Sequence, residues 1–333
     1  MNCKQKIFFR ADADKQIGYG HFVRSLALAD MIKEDFDCIF FTQSPTEYQK
    51  REIQKVCPLI ELPSNDTKLV VFLNFLQGDE IVFLDNYFFT SDYQLQIKNR
   101  GCKLICLGTN DRHYYADVLL NFAESDASIF SVEPYTKIKL GIDWVILRTP
   151  FRNFVPQRES IVKQDIVICF GGTDQFGLTE RCVEVLQCWD IKRKIYLIAT
   201  DSFGLQRVKD LQAKGVVCHL NATAEKIVEI FSVSTCILSS ASTITQEALA
   251  CGVVCICGYY VDNQQKMYSY LSENKLVIGV DNWLDPDMGL RLRNVLMNLE
   301  NCKKNGYGFR VTKVCPEKLE NERNMNYQFL QSY

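Results

Sequence analysis

The sequence predicts an α/β protein made of two Rossmann-like, doubly wound parallel-sheet domains facing across a cleft. Three observations carry this expectation: a length of 333 residues, an alternation of strand-length apolar runs with amphipathic stretches, and a break in that alternation near the middle. A chain this long exceeds the usual single core, so two domains of ordinary size are the natural division. The runs KIFFRAD, CIFFTQ, IVFLDN, KLICLG and DVLLNF fill the first half, and DIVICFGG, KIYLIAT, GVVCHL, CILSS, VVCICG and KLVIGV the second. They are apolar on both faces, which suits central strands of a parallel sheet covered by helices on each side. Between the halves, LRTPFRNFVPQRESIVKQD carries two prolines and several charges without periodicity. The expected division is an N-terminal domain over 1–150, a linker over 151–163, a C-terminal domain over 164–310, and a tail over 311–333 that packs back.

Composition narrows the function classes. Apolar residues make up 47% of the chain and charged residues 23%, which supplies a globular core and argues against a disordered or fibrous chain. The formal charge of −2 lacks the basic excess of a phosphate-tracking surface, so neither nucleic acid nor an anionic membrane is an expected partner. Fifteen cysteines are scattered through apolar runs without a CxxC pair or a metal-type Cys/His spacing, and read as reduced core thiols. The segment MNCKQKIFFRAD has no apolar signal core, and no run reaches the roughly 18 apolar residues of a membrane span. A cytoplasmic protein without a span, monomeric or weakly oligomeric, is the expectation.

Open parallel sheets bind ligands beyond the carboxyl ends of their strands. Four such places carry unusual chemistry. In FFRADADKQIGYGHFVRSLALADMI a strand runs into a loop with Gly18 and Gly20, and a helix opens around His21. The glycines permit a tight turn, and a new helix presents unpaired N–H groups and its positive dipole end to an anion. Arg10 and Asp12 end the strand and are expected to point into the same cleft, with Arg24 one helical turn beyond His21. In DIVICFGGTDQFGLTERCVEVL a second strand ends in Gly171 and Gly172, followed by Thr173 and Asp174, a backbone pocket with hydroxyl support for phosphate. A glycine pair alone is a weak signal, but one such turn in each half is better explained by a shared ligand. The third place is a hydroxyl-rich loop, Ser239 to Thr243, before a short helix carrying Glu247, with Asp262-Asn263-Gln264 after the next strand. A carboxylate there can accept from both ribose hydroxyls while small residues admit a diphosphate. The alternative is an exposed helical glutamate and an ordinary turn. In the fourth, Asp85, Asn86 and Tyr87 end a first-half strand as either a cap or a functional group.

Together these segments resemble a known family. The run R-A-D-A-x3-I-G-x-G-H-x2-R-x3-L-A, the D-N-Y after a strand, GG-T-D early in the second half, and T-Q-E-A-L-A-C-G…D-N-Q are similar to the UDP-2,4-diacetamido-2,4,6-trideoxy-β-L-altropyranose hydrolases of pseudaminic-acid biosynthesis, which have a glycosyltransferase-B type fold. The resemblance runs from Lys6 to about Gly279. Its N-terminal motif is specific, whereas the second-half motifs are shared with glycosyltransferases related to the peptidoglycan enzyme that transfers N-acetylglucosamine. It implies His21 as the catalytic histidine, Tyr87 and Asn263 beside it as residues of the sugar pocket, and Glu247 as the ribose holder. Where the family commonly has two aspartates after the strand equivalent to KLICLG, this chain reads Gly108-Thr109-Asn110-Asp111.

The expected site is therefore catalytic His21, Tyr87 and Asn263; nucleotide-binding Gly20, Gly171, Gly172, Thr173, Asp174, Ser242, Thr243 and Glu247; and substrate-binding Arg10, Asp12, Gly18, Arg24, Asp85 and Gln264. No cofactor and no metal are expected. Hydrolysis of an anomeric C–O bond needs a positioned water, a base, and stabilisation of charge on the departing diphosphate. An unperturbed imidazole is neutral and basic near pH 7, and helix N-termini with small-residue loops can take the place of a metal at the diphosphate. Water attacking opposite the diphosphate inverts the anomeric centre, as the resemblance also implies. His113 reads as a solvated loop histidine. His219 reads equally as a structural histidine or a contact to the base. A glycosyltransferase or a nucleotide-sugar epimerase on the same fold, a noncatalytic sugar-nucleotide sensor and an NAD-linked oxidoreductase are the alternatives. The last lacks both the full G-x-G-x-x-G and an acidic residue closing a strand about 20 residues later.

Overall fold

The computed structural model describes residues 4–14, 18–155, 165–188 and 193–304. The chain divides into two compact units, the first ending at Thr149 and the second beginning at Pro150. The first contains strands β1 (Lys6–Arg10), β2 (Asp37–Gln43), β3 (Leu59–Leu62), β4 (Ile81–Leu84), β5 (Lys103–Leu107), β6 (His113–Tyr114), β7 (Val118–Asn121), β8 (Ser131–Val132) and β9 (Lys137–Leu140). Its helices are α1 (Gly20–Ile32), α2 (Glu47–Gln54), α3 (Thr67–Leu73) and α4 (Ser91–Lys98). Seven of the strands form one parallel sheet in the order β3-β2-β1-β4-β5-β7-β9, and β6 pairs with β8 apart from it.

Phenylalanines show why both faces of this sheet are covered. Successive strand residues point to opposite faces. Phe9 lies stacked at 6.2 Å on Phe40 and 5.6 Å from Phe83, and Phe22 of α1 meets Phe40 edge-on at 5.9 Å. The alternate residue Phe8 lies 5.0 Å from Phe41, which meets Phe72 of α3 edge-on at 4.9 Å. Each such ring contributes about 1.5–3 kcal/mol by leaving water. Helix α1 follows from its spacing: Phe22, Ser25, Leu28, Ala29 and Ile32 form the buried stripe that packs on the sheet.

The second unit repeats the design. Strands β10 (Asp165–Cys169), β11 (Ile195–Ala199), β12 (Val216–Leu220), β13 (Ser234–Ser240), β14 (Val254–Tyr259) and β15 (Ile278–Asn282) form a parallel sheet in the order β12-β11-β10-β13-β14-β15. All six coincide with the apolar runs read from the sequence. Helices α5 (Thr149–Arg152), α6 (Leu178–Gln187), α7 (Leu205–Ala213), α8 (Ala224–Val233), α9 (Thr243–Ala250), α10 (Gln265–Glu273) and α11 (Met288–Lys304) complete it. In the first sheet β3 and β9 escape the sequence reading, because they are short, only partly buried and carry polar residues.

Helix α5 falls where the linker is expected to begin. Phe151 is buried, 6.1 Å from Phe231 of α8, so this stretch belongs to the packed second unit. Residues 156–163 of the expected linker and the expected tail 311–333 lie outside the described residues. Most described cysteines are buried and form no disulfide, as with Cys38 and Cys57, whose thiols burial pushes up to about 12; Cys188 is exposed. No helix among the described residues is long and apolar enough to cross a membrane.

In each sheet the strand order reverses between two central strands, β1/β4 in the first and β10/β13 in the second. Such reversals open a crevice at the carboxyl ends, where ligands of open α/β sheets bind. Trp283 fixes the second crevice: fully buried, it donates from Nε1 to the Ser239 carbonyl at 3.0 Å and meets Phe170 edge-on at 4.9 Å. Trp283→Phe should cost about 2 kcal/mol of stability, from the void and the unpaired carbonyl together, read by denaturant unfolding.

Candidate active site

The sequence brings four polar side chains to the β1/β4 reversal of the first unit. Asp85 and Asn86 follow β4, while His21 and Arg24 lie in the first turns of α1, which follows β1. The Asp85 carboxylate takes His21 Nδ1 at 2.6 Å, Arg24 Nε and Nη2 at 2.6 Å each, and Ser25 Oγ at 3.3 Å. Burial acts to raise the Asp85 pKa, but the charges and hydrogen bonds of Arg24 and His21 outweigh it and hold the group at about 2. Burial likewise acts to lower the Arg24 pKa, and Asp85 outweighs it in raising it.

This protonation state fixes the histidine tautomer. Arg24 Nη2 also lies 2.7 Å from His21 Nδ1, and a ring nitrogen cannot both donate to Asp85 and accept from Arg24. An ionised carboxylate only accepts, and two lone pairs facing each other at 2.6 Å would repel, so Nδ1 carries the proton and donates it to Asp85. The basic lone pair is thereby placed on Nε2, which bonds to none of the described residues. Tyr87, 46% exposed, meets the His21 ring edge-on at 4.7 Å and gives the site a surface that a ligand can reach.

Two expected substrate contacts turn inward instead. Arg10 and Asp12 are fully buried and paired with each other, with the Arg10 guanidinium over the rings of Phe88 and Phe89. Asp12 accepts from Thr42 Oγ1 at 3.3 Å, Gln43 N at 2.9 Å and Lys68 Nζ at 3.4 Å. Its backbone N–H donates to Asn86 Oδ1 at 2.6 Å, and Asn86 Nδ2 donates to its carbonyl at 3.2 Å. Buried charge demands such partners, and here they tie together the loops after β1, β2 and β4. Arg24 and Asp85, also expected to hold substrate, are spent on each other and on His21. Gly18 adopts φ +81 in the turn before α1, and Gly20 is the first residue of that helix.

At the second reversal, Gly171 (φ +87) and Gly172 follow β10, and Ser242 and Thr243 open α9 after β13. A Cβ on Gly172 would lie 2.8 Å from the Thr200 side chain, whose Oγ1 and backbone N–H donate to the Gly172 carbonyl at 3.0 Å. Ser242 has extended backbone angles and no side-chain cap, and while Thr245 N donates to its carbonyl at 3.0 Å, the Thr243 and Ile244 N–H groups at the start of α9 lie before any intrahelical partner. Glu247 of that helix is 1% exposed, unlike the surface glutamate of the alternative reading. Asp174, expected beside a phosphate, is instead buried as the cap of α6, accepting from Leu178 N at 3.0 Å and Thr179 N at 2.7 Å. Thr173 is half-buried and its carbonyl accepts from Arg207 at 3.0 Å. Asn263 is exposed in the turn after β14, and Gln264 there accepts from Tyr260 N at 3.1 Å.

The remaining histidines have structural partners. His113 bonds Ser131 at 2.8 Å and Glu133 at 3.0 Å; His219 stacks on Tyr196 at 5.9 Å, its pKa lowered by burial and by Lys226. The coupling of His21 to Asp85 is missed by the sequence reading. The signal was available, since polar residues close two strands that a doubly wound order makes neighbours.

The fold and these two crevices define an α/β protein of the glycosyltransferase-B type. Solved structures agree in fold: a glycosyltransferase from Rickettsia africae (TM-score 0.63, 13% identity, 99% of this chain and 98% of that one) and MurG of Acinetobacter baumannii (TM-score 0.58, 13% identity, 98% of each chain). No family model matches the chain. In sequence it is 29% identical over 279 residues to the UDP-2,4-diacetamido-2,4,6-trideoxy-β-L-altropyranose hydrolase of Campylobacter jejuni, covering 80% of this chain and 96% of that protein. It is 24% identical over 330 residues to an uncharacterised protein of Methanocaldococcus jannaschii, covering 90% of this chain and 68% of the relative. Over most of its length the chain is thus similar to that hydrolase.

Asp85→Ala should cost about 3 kcal/mol of stability at pH 7, because it strands the Arg24 cation, the loss being moderated by that side chain's partial contact with water. The folded-state pKa of Asp85 lies below its unfolded value, so its contribution is present above about pH 4 and is lost as the pH falls toward 2. Denaturant unfolding of both proteins should show their difference shrinking across that window.

Proposed function

We propose that the protein hydrolyses the anomeric C–O bond of a UDP-linked amino sugar, releasing UDP and the free sugar with inversion. The proposed sugar is 2,4-diacetamido-2,4,6-trideoxy-β-L-altropyranose, and the proposed setting is nonulosonic (pseudaminic) acid biosynthesis in the cytoplasm, by a monomer or weak oligomer. The observation that carries the reading is His21, held by Asp85 with Nε2 free for a proton, in a chain 29% identical to that hydrolase. In this reading Nε2 takes a proton from water as the water oxygen bonds to the anomeric carbon. The C–O bond breaks on the opposite face, and its electron pair leaves with UDP. Asp85 then faces an imidazolium, which its negative charge stabilises.

Second-unit residues are proposed to hold the nucleotide. The uncapped first turn of α9, with Ser242 and Thr243, suits the diphosphate, and Gly171 and Gly172 allow close backbone approach. Glu247 is proposed for the ribose hydroxyls, and Tyr87 and Asn263 for the sugar. Charge on the leaving diphosphate is met by backbone N–H groups in this account, so a metal is not required. A glycosyltransferase is the second reading, favoured by the fold of the solved relatives: the same histidine would deprotonate an acceptor hydroxyl.

His21→Asn should leave UDP affinity nearly intact while lowering UDP release at saturating substrate by roughly 10²–10⁴. Glu247→Ala should weaken UDP binding by about 1–3 kcal/mol in calorimetry with a smaller effect on the saturated rate. EDTA should change neither quantity. UDP release that waits for an added acceptor would identify a transferase instead.

A further inference from the structure

A recess in the first unit opens beside Tyr87, at the carboxyl ends of β4 and β5. Its walls are Leu84, Phe89, Cys106, Gly108 and the ring of Tyr114. Most polar groups on its lining are already committed. Asn86 is bonded to Asp12 through both amide atoms, and the Tyr114 hydroxyl accepts from Thr109 N at 2.8 Å. Arg112 donates to both oxygens of Asp111 and to the Phe89 carbonyl, which leaves the recess without a free positive charge for a carboxylate or phosphate.

Gln94 is a buried exception. It is 1% exposed, and its Oε1 accepts from Tyr115 N at 3.1 Å, which fixes the orientation of the amide. Its Nε2 bonds to none of the described residues, yet it is not sealed from solvent space. The lining thus offers amide N–H donors among apolar walls. Gly108 lets the Tyr114 ring that forms one wall pack directly on the backbone, because a Cβ there would lie 2.5 Å from that ring and from Leu119.

We propose that this recess binds an acylamino arm of the sugar, its carbonyl oxygen accepting from Gln94 Nε2 and its methyl end lying against Phe89 and Cys106. The assignment rests on the UDP-sugar reading and deepens it. Tyr87 lines the recess and also touches the His21 ring, so a sugar seated by this arm lies within reach of the proposed base. A carbonyl acceptor satisfies the buried donor, whereas a hydroxyl at the same ring carbon is too short to fill the apolar part and a carboxylate arm brings an uncompensated charge. The sequence Gly108-Thr109-Asn110-Asp111 then has a physical role: Thr109 and Asp111 bind Tyr114 and Arg112 and so shape the wall without presenting charge to the ligand.

The test measures UDP release by the full chain from UDP-2,4-diacetamido-2,4,6-trideoxy-β-L-altropyranose and from analogues with one acetamido group at a time replaced by hydroxyl or by propanamido. At one of the two positions, either replacement should lower wild-type kcat/KM by about tenfold or more. Cys106→Ala should recover the propanamido analogue at that position. Gln94→Glu keeps the acceptor for Tyr115 N but removes the donors; it should lose about tenfold or more on the acetamido compound and under about threefold on the matching hydroxyl analogue. A wild type indifferent to replacement at both positions, or equal losses in Gln94→Glu on both compounds, overturns the recess assignment while hydrolysis stands. The wild-type series decides by itself if that variant does not fold. Absence of UDP release from every compound removes the hydrolase reading, and this assignment with it.

Discussion

The Asp85 carboxylate, buried between His21 and Arg24, is the interaction on which the proposed chemistry depends. Alone, a carboxylate so far from water would favour its protonated form. Two cationic or proton-donating partners reverse that preference and keep it ionised at about pH 2 and above. The ionised form can only accept, which dictates where the histidine proton sits. A single electrostatic choice thereby sets the tautomer of His21, the placement of Arg24 and the free lone pair at Nε2. The Arg10–Asp12 pair performs a different task one layer deeper. It joins the loops after β1, β2 and β4 so that His21 and Asp85 arrive at the same point.

Much of this was legible in the sequence, for reasons particular to the elements concerned. Central strands such as β1, β4, β10 and β13 are apolar on both faces and announce themselves as buried runs, whereas β3 and β9 are partly exposed and give no comparable signal. His21 stood out because glycines and a helix start surround it. The roles of Arg10, Asp12 and Asp174 were misread because a charged residue at a strand's end has the same appearance whether it faces ligand or pairs internally. Only the partners distinguish these cases: Arg10 for Asp12, and the Leu178 and Thr179 N–H groups for Asp174. Gln94 gave no signal at all, since a glutamine in SDYQLQIK looks like the solvent side of a helix.

The two units use the same topological device for different chemistry. In the first, the strand-order reversal collects the side chains proposed to hold and move a proton. In the second, it collects backbone: a positive-φ glycine after β10 and the uncapped start of α9 after β13. Trp283 and Tyr260 brace that second crevice through the Ser239 and Phe170 carbonyls, each at 3.0 Å. In the proposed hydrolysis, that backbone would hold the diphosphate and those side chains would move the proton.

The most direct measurement of the central claim is the tautomer of His21 by ¹⁵N NMR of histidine-labelled protein, with His21→Asn used to assign its signals. The account predicts that neutral His21 carries its proton on Nδ1, with a downfield proton resonance from the bond to Asp85 and an unprotonated Nε2. A neutral ring protonated at Nε2 would contradict it, because the nitrogen assigned as base would then have no lone pair to offer.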